Sequence, residues 1–135
     1  MLLKLDFAQD TPIYLQIRNQ IVLGIANGEL KPGEKLPPIR TLAIETGVNT
    51  MTVNKAYQLL KQEGYIITDR RNGVRVRENF AATAGLSAEA EDQLHQLISE
   101  ARIKGISRDD FVAIVDKYYA TVQSQADLSG MGEEC

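Results

Sequence analysis

Arg70-Arg71-Asn72-Gly73 lies between two short stretches of strand character, Tyr65–Thr68 and the alternating Val74–Arg77. Guanidinium groups at the tip of a tight turn can bridge phosphates or reach into a nucleic-acid groove. Asn-Gly suits a hairpin turn, and Gly73 permits both the turn geometry and a close backbone approach. A second group, Thr50, Met51, Thr52, Asn54 and Lys55, opens an amphipathic segment. A threonine can hydrogen-bond a base or a phosphate, a Thr or Met51 methyl can meet a thymine methyl, and Lys55 suits a phosphate. Taken singly, each of these residues is equally at home in solvent, so the elements that carry them must decide.

Other chemistry finds little support. Asp109 and Asp110 sit at the start of a helical pattern, where the helix dipole explains paired carboxylates. His95 lies beside acidic residues on a helix and reads as a surface residue, and Tyr118 and Tyr119 read as packing residues. Cys135 is the single cysteine and the last residue, so it has no internal partner. One His and one Cys far apart do not suggest a metal site. No nucleophile–base set and no phosphate-binding glycine loop is visible, so neither an enzyme nor a cofactor is expected.

The elements follow from periodicity. Thr11 is placed to cap a helix and Pro12 to open it. Ile13, Ile17, Ile21 and Ile25 then form one apolar face, ended by Gly28. Leu30 to Gly33 reads as a turn. A short helix is expected from Pro37-Pro38 to Thr46, with Leu42 and Ala43 inward and Gly47 as its breaker. Val48 occupies the turn and Asn49 can cap a third helix, Thr50 to about Glu63, whose buried face is Val53, Ala56, Tyr57 and Leu60. Two helices joined by such a turn form a helix-turn-helix. Tyr65–Thr68 and Val74–Arg77 read as the strands of a hairpin, which makes a wing. Arg75 and Arg77 alternate with valines and should face outward, either to phosphates or simply to water.

Residues 81–86 lack periodicity and read as a linker. Ser87 can cap a fourth helix with an apolar face at Ala90, Leu94, Leu97, Ile98 and Ala101. Gly105 closes it. Ser107 and Asp110 fit a capping box, and Ile106 and Phe111 fit a hydrophobic staple. A fifth helix carries Phe111, Ile114, Val115, Tyr118 and Val122. Two helices joined by so short a turn are expected to pack as an antiparallel hairpin. The polar segment 127–135 is expected to be disordered.

The fold class is thus mainly α with a small β-hairpin: a winged helix-turn-helix over 1–80, a linker over 81–86 and a two-helix hairpin over 87–126. Charge divides along the same line. Residues 1–80 hold eleven Lys/Arg against eight Asp/Glu, a net of +3, and residues 81–135 hold four against ten, a net of −6. The overall −3 therefore does not argue against a nucleic-acid partner for the first unit. No apolar run approaches the ~18 residues of a membrane span, and no signal-peptide pattern is present, so no membrane partner and a cytoplasmic location are expected.

Residues 9–80 resemble the DNA-binding domain of the GntR family of bacterial regulators. The resemblance rests on Pro12 to Ile17, Gly28 to Pro37, Arg40-Thr41-Leu42-Ala43, Gly47-Val48-Asn49, Thr52-Val53, Ala56-Tyr57, Leu60 and Glu63-Gly64-Tyr65. It departs at Pro38 and Thr50, where the family often has Ser and Arg or Pro, and at the wing Arg71 to Val74, which lacks the usual Gly-x-Gly-Thr. The small remainder resembles the YtrA-like subfamily. This resemblance implies a dimeric regulator, by family habit most often a repressor, on palindromic double-stranded operator DNA. It also implies a DNA contact for Arg40. Dimerisation is a physical expectation as well, because two isolated amphipathic helices have little to pack on except a partner. Leu94, Leu97, Ile98, Phe111, Ile114, Val115, Tyr118 and Val122 are its expected residues. A two-helix appendage should not enclose an effector cavity of ~300 Å³, and no effector is identified. The alternative is a winged-helix module that binds protein and no longer DNA.

Overall fold

The computed structural model describes residues 3–80 and 85–134, with side chains described as far as Thr121. The chain forms two compact units, Met1–Phe80 and Ala81–Cys135.

In the first unit, α1 (Ile13–Ala26), α2 (Ile39–Thr46) and α3 (Thr50–Gln62) precede β1 (Ile66–Asp69) and β2 (Gly73–Val76). Pro12 is the N-cap of α1 and not its first residue, and no side chain caps this end. Thr11 instead offers its carbonyl to the Gln16 Nε2 donor at 2.9 Å. Gly47 ends α2 with φ +70°, a left-handed conformation that a side chain strains, and the Val48 N–H donates to the Ala43 carbonyl. Asn49 Oδ1 accepts from the Met51 N–H at 2.7 Å and so caps α3.

The core is aliphatic. Ile17 and Ile21 of α1, Leu42 of α2, Val53 and Leu60 of α3, Ile66 of β1 and Val76 of β2 are all almost wholly buried together. This is the face that the helical spacing marks. Tyr57 joins it but keeps its hydroxyl satisfied by donating to the Pro37 carbonyl at 2.7 Å. That bond ties the middle of α3 to the approach to α2.

The hairpin is antiparallel with Ile66 opposite Val76 and Asp69 opposite Gly73. Both strands begin one residue earlier or later than the alternation suggests. The Tyr65 N–H is taken by the Leu60 carbonyl, closing α3, so pairing starts at Ile66. The stretch read as a turn and its continuation also contribute to the sheet. Gly33 N–H donates to Val76 O, Val76 N–H to Glu34 O and Leu36 N–H to Val74 O, and Lys35 bridges to Arg75. The wing therefore has a third, short flank built from residues 33–36.

Before α1, the chain is held by two amides on one helix face. Gln16, itself buried, accepts from Asp6 N–H and donates to Asp6 O, and Gln20 does the same for Lys4. Leu3 and Leu5 pack on the core from this segment.

The second unit holds α4 (Ala88–Ile103) and α5 (Arg108–Glu134). Ser87 Oγ accepts from Ala90 N–H and Ser107 Oγ from Asp110 N–H, both at 3.1 Å, so both expected caps form. Gly105 has φ +82° and the Ile106 N–H returns to the Ala101 carbonyl. Of the expected linker over 81–86, residues 81–84 lie outside the described residues. Helix α5 is assigned as far as Glu134. No proline interrupts it, and extending a nucleated helix fixes only one residue per added hydrogen bond.

Among the described residues of this unit only Ala101 is buried. Leu97, Ile98, Ile114 and Tyr118 are 53%, 43%, 46% and 60% exposed, so the apolar faces of α4 and α5 have not consumed each other. Leu94, Leu97, Phe111, Ile114, Val115 and Tyr118 instead line one open groove of about 700 Å³. Ile98 and Phe111 border a second open groove of about 500 Å³. The side chain of Val122 lies outside the described residues. No helix among the described residues is long and apolar enough to cross a membrane.

Candidate nucleic-acid interface

The N-terminal turn of α3 is presented to solvent. Thr50, Asn54 and Lys55 are exposed, Met51 is 78% exposed and Thr52 is half-buried. The same helix buries Val53, Ala56, Tyr57 and Leu60. The 3.6-residue period thus fixes which side chains stand outward, and the Asn49 cap fixes where the helix begins. An exposed helix N-terminus carries partial positive charge and unpaired N–H groups, which favour an anion.

Lys55 is held in a stated position. Its Nζ lies 4.0 Å from the centre of the Tyr14 ring, a cation–π contact that fastens α3 to the first turn of α1. Arg40, in the first turn of α2, is exposed and makes no hydrogen bond or ion pair among the described residues. A cation that no carboxylate neutralises keeps its full charge for an external partner.

At the wing, Arg70, Arg71, Asn72 and Gly73 are all exposed, and the two arginine side chains have no protein partner among the described residues. Gly73 has φ +70°, as the tight turn requires. The turn is organised from below by Asp69. Its Oδ1 accepts the Arg71 and Asn72 backbone N–H groups at 2.7 Å each, and its Oδ2 accepts from Asn72 Nδ2 at 3.0 Å. These bonds, led by that from the Asn72 backbone, hold the Asp69 carboxyl below its ordinary pKa.

Arg75 differs from the outward-facing residue that strand alternation suggests. It is only 23% exposed, lies 3.4 Å from Asp69 Oδ2 and 3.7 Å from Glu78 Oε1, and its Nε is buried without a partner. The partners on either side of its guanidinium are Asp69 and Glu78, and its backbone is bridged to Lys35 of the extra flank. Arg77 remains exposed.

Sequence reasoning therefore locates the exposed polar groups but misses their supports. Asp69 reads as one more polar turn residue, although the Asp-x-x-Asn spacing of Asp69 and Asn72 is the signal for a side chain that bonds its own turn. The Tyr14–Lys55 contact has no such signal, because its partners are 41 residues apart.

A second fastening lies away from these groups. Arg18 on α1 pairs with Glu63 through Nε at 2.9 Å and through its terminal nitrogen at 3.1 Å, and its guanidinium lies over the Tyr65 ring. The Glu63 bonds raise the Arg18 pKa against the opposing effect of burial. Tyr65 in turn meets Phe80, at the end of the first unit, with ring centres 6.2 Å apart. Among the described residues no cluster of His, Cys, Asp and Glu could hold a metal.

Residues 13–76 match the family described as "Bacterial regulatory proteins, gntR family". The chain is 39% identical over 107 residues to the HTH-type transcriptional repressor YtrA of Bacillus subtilis, covering 78% of this chain and 82% of that protein. A transcriptional antiterminator from Listeria monocytogenes shares 30% identity with a TM-score of 0.77, over 90% of this chain and 92% of that one. The DNA-binding domain of AraR, solved in complex with operator ORX1, shares 26% identity with a TM-score of 0.50, over 55% of this chain and 95% of that one. The exposed start of α3, the basic wing and the matched length lead to one conclusion: this chain is a member of the GntR family of DNA-binding transcription regulators, with YtrA-like kinship.

Proposed function

We propose that the protein is a homodimeric repressor that binds a palindromic operator. The observation that carries this reading is the coincidence of an exposed, capped α3 N-terminus with three unneutralised arginines, Arg40, Arg70 and Arg71. In this reading the start of α3 enters the major groove, where Thr50, Met51, Thr52 and Asn54 meet base edges. Arg40 and Lys55 hold phosphates, and the wing tip Arg70 to Gly73 reaches the neighbouring backbone or minor groove.

Two copies of the domain must be joined to read a palindrome. The groove of α4 and α5 supplies the joint: its lining is apolar and exposed in a single chain, as expected for a surface covered by a second copy. Leu94, Leu97, Ile98, Phe111, Ile114, Val115, Tyr118 and Val122 serve this contact. Repression is then steric, since a bound dimer occludes the promoter. The protein acts in the cytoplasm, where its operator lies.

Charge reversal tests the DNA face. Arg40→Glu combined with Arg71→Glu should abolish sequence-specific gel shift on a target promoter while leaving the thermal midpoint within a few degrees of the parent. Retained binding by the doubly reversed protein would remove the DNA face from this surface, whereas a parent that shifts no promoter DNA would favour a protein partner.

A further inference from the structure

The wing holds an acidic residue at the place where a DNA-facing turn should least tolerate one. Asp69 immediately precedes Arg70-Arg71, and simple electrostatics makes a carboxylate there repel phosphates. Its geometry gives it a different part. Both oxygens are occupied: Oδ1 by two backbone N–H groups of the turn, and Oδ2 by Asn72 Nδ2 and, at 3.4 Å, by the Arg75 guanidinium. Arg75 itself lies between Asp69 and Glu78 and is mostly covered. Arg70 and Arg71 stay exposed without any protein partner among the described residues.

The three arginines thus divide into two kinds. Arg70 and Arg71 keep their charge available, while Arg75 is neutralised locally by two carboxylates and holds Asp69 from beneath. We propose that Asp69 and Arg75 are positioning residues for operator binding: the pair fixes the backbone of the wing turn, so that Arg70 and Arg71 meet the DNA backbone in one register. The proposal rests on the DNA-binding reading and deepens it. It assigns the acidic residue of the wing a favourable role and removes Arg75 from the phosphate contacts.

A turn held this way loses less conformational freedom when its arginines dock. Without Asp69, two N–H groups of the turn revert to water and Arg75 loses its nearer carboxylate. The arginines then reach phosphates from a mobile loop.

The test exploits opposite signs. Removing a negative charge beside DNA should tighten binding if Asp69 only repels phosphates. Positioning requires the reverse. Operator affinity of the full chain is measured by fluorescence anisotropy over a series of salt concentrations for the parent, Asp69→Ala, Asp69→Asn, Arg75→Gln and Arg71→Gln. Asp69→Ala should bind about tenfold more weakly. Its log–log salt slope should be shallower by about 0.9 for each wing arginine that no longer neutralises a phosphate. Asp69→Asn keeps an acceptor for the two N–H groups and should restore most of the affinity. Arg75→Gln leaves the Oδ1 bonds to the turn in place, so it should weaken binding by less than Asp69→Ala and flatten the salt slope by less than Arg71→Gln does.

Adding Arg71→Gln to Asp69→Ala should cost less than it does in the parent, because the arginine is already misplaced. A general loss of folding would lower the active fraction and the thermal midpoint without changing the slope. Asp69→Ala binding as tightly as the parent, or more tightly, overturns the proposal. So does an Arg75→Gln slope as shallow as that of Arg71→Gln. Failure of the parent itself to select a DNA sequence would instead overturn the underlying DNA reading.

Discussion

At the residue scale, the interface separates side chains that are exposed and unpaired from those that hold them. Asn49 belongs to the second kind. Its cap fixes the first turn of α3, where Thr50 to Thr52 stand. Asn49→Ala should lower stability by about 1 kcal/mol in chemical denaturation, because an orphan N–H loses its acceptor. Asn49→Ser should recover most of that loss. Tyr57 supplies a pH-dependent counterpart. Burial, with a smaller effect of Glu45, raises its pKa from an ordinary value of 10.0. The neutral phenol is thus favoured in the folded state, so its contribution is complete below pH 10 and declines as pH rises through the shifted value. Urea titrations of Tyr57→Phe should show a shallower loss of stability above pH 10 than the parent. At neutral pH the variant should be less stable by about 1 kcal/mol, for the lost bond to Pro37.

At the scale of elements, the legible part was the part set by short-range periodicity. The inward faces of α1, α2 and α3 could be read because apolar residues recur at three- and four-residue spacings. Gly47 and Asn49 marked the turn between α2 and α3 because each satisfies a local geometric demand. The turn tests this directly: Gly47→Ala should cost about 1–2 kcal/mol in denaturant titrations, since φ +70° is strained for an L side chain although open space surrounds it. What stayed hidden depends on distant partners. Residues 33–36 have no strand pattern of their own, and only their pairing with β2 reveals them as the wing's third flank. The amide clamps of Gln16 and Gln20 on residues 4–6 were equally invisible, since a glutamine on a helix face gives no sign of what it will bind.

At the scale of the whole molecule, charge and apolar surface divide between the two units. The first carries the net positive charge and a closed aliphatic core; the second carries the negative charge and a helix pair whose apolar groove stays open to solvent. That division predicts the behaviour of a split function. Leu97→Asp with Val115→Asp should convert dimers to monomers in sedimentation velocity, leave the first unit folded, and weaken operator binding far more than binding to random DNA. The central claim, that two such DNA-reading units act as one, is tested most directly by selecting bound sequences from a random DNA library with the full chain. The expected result is an enriched palindrome whose half-sites lie about one helical turn apart, about 10–10.5 base pairs centre to centre, or a multiple of it. An enriched site without two-fold symmetry, or no enrichment at moderate salt, would contradict it.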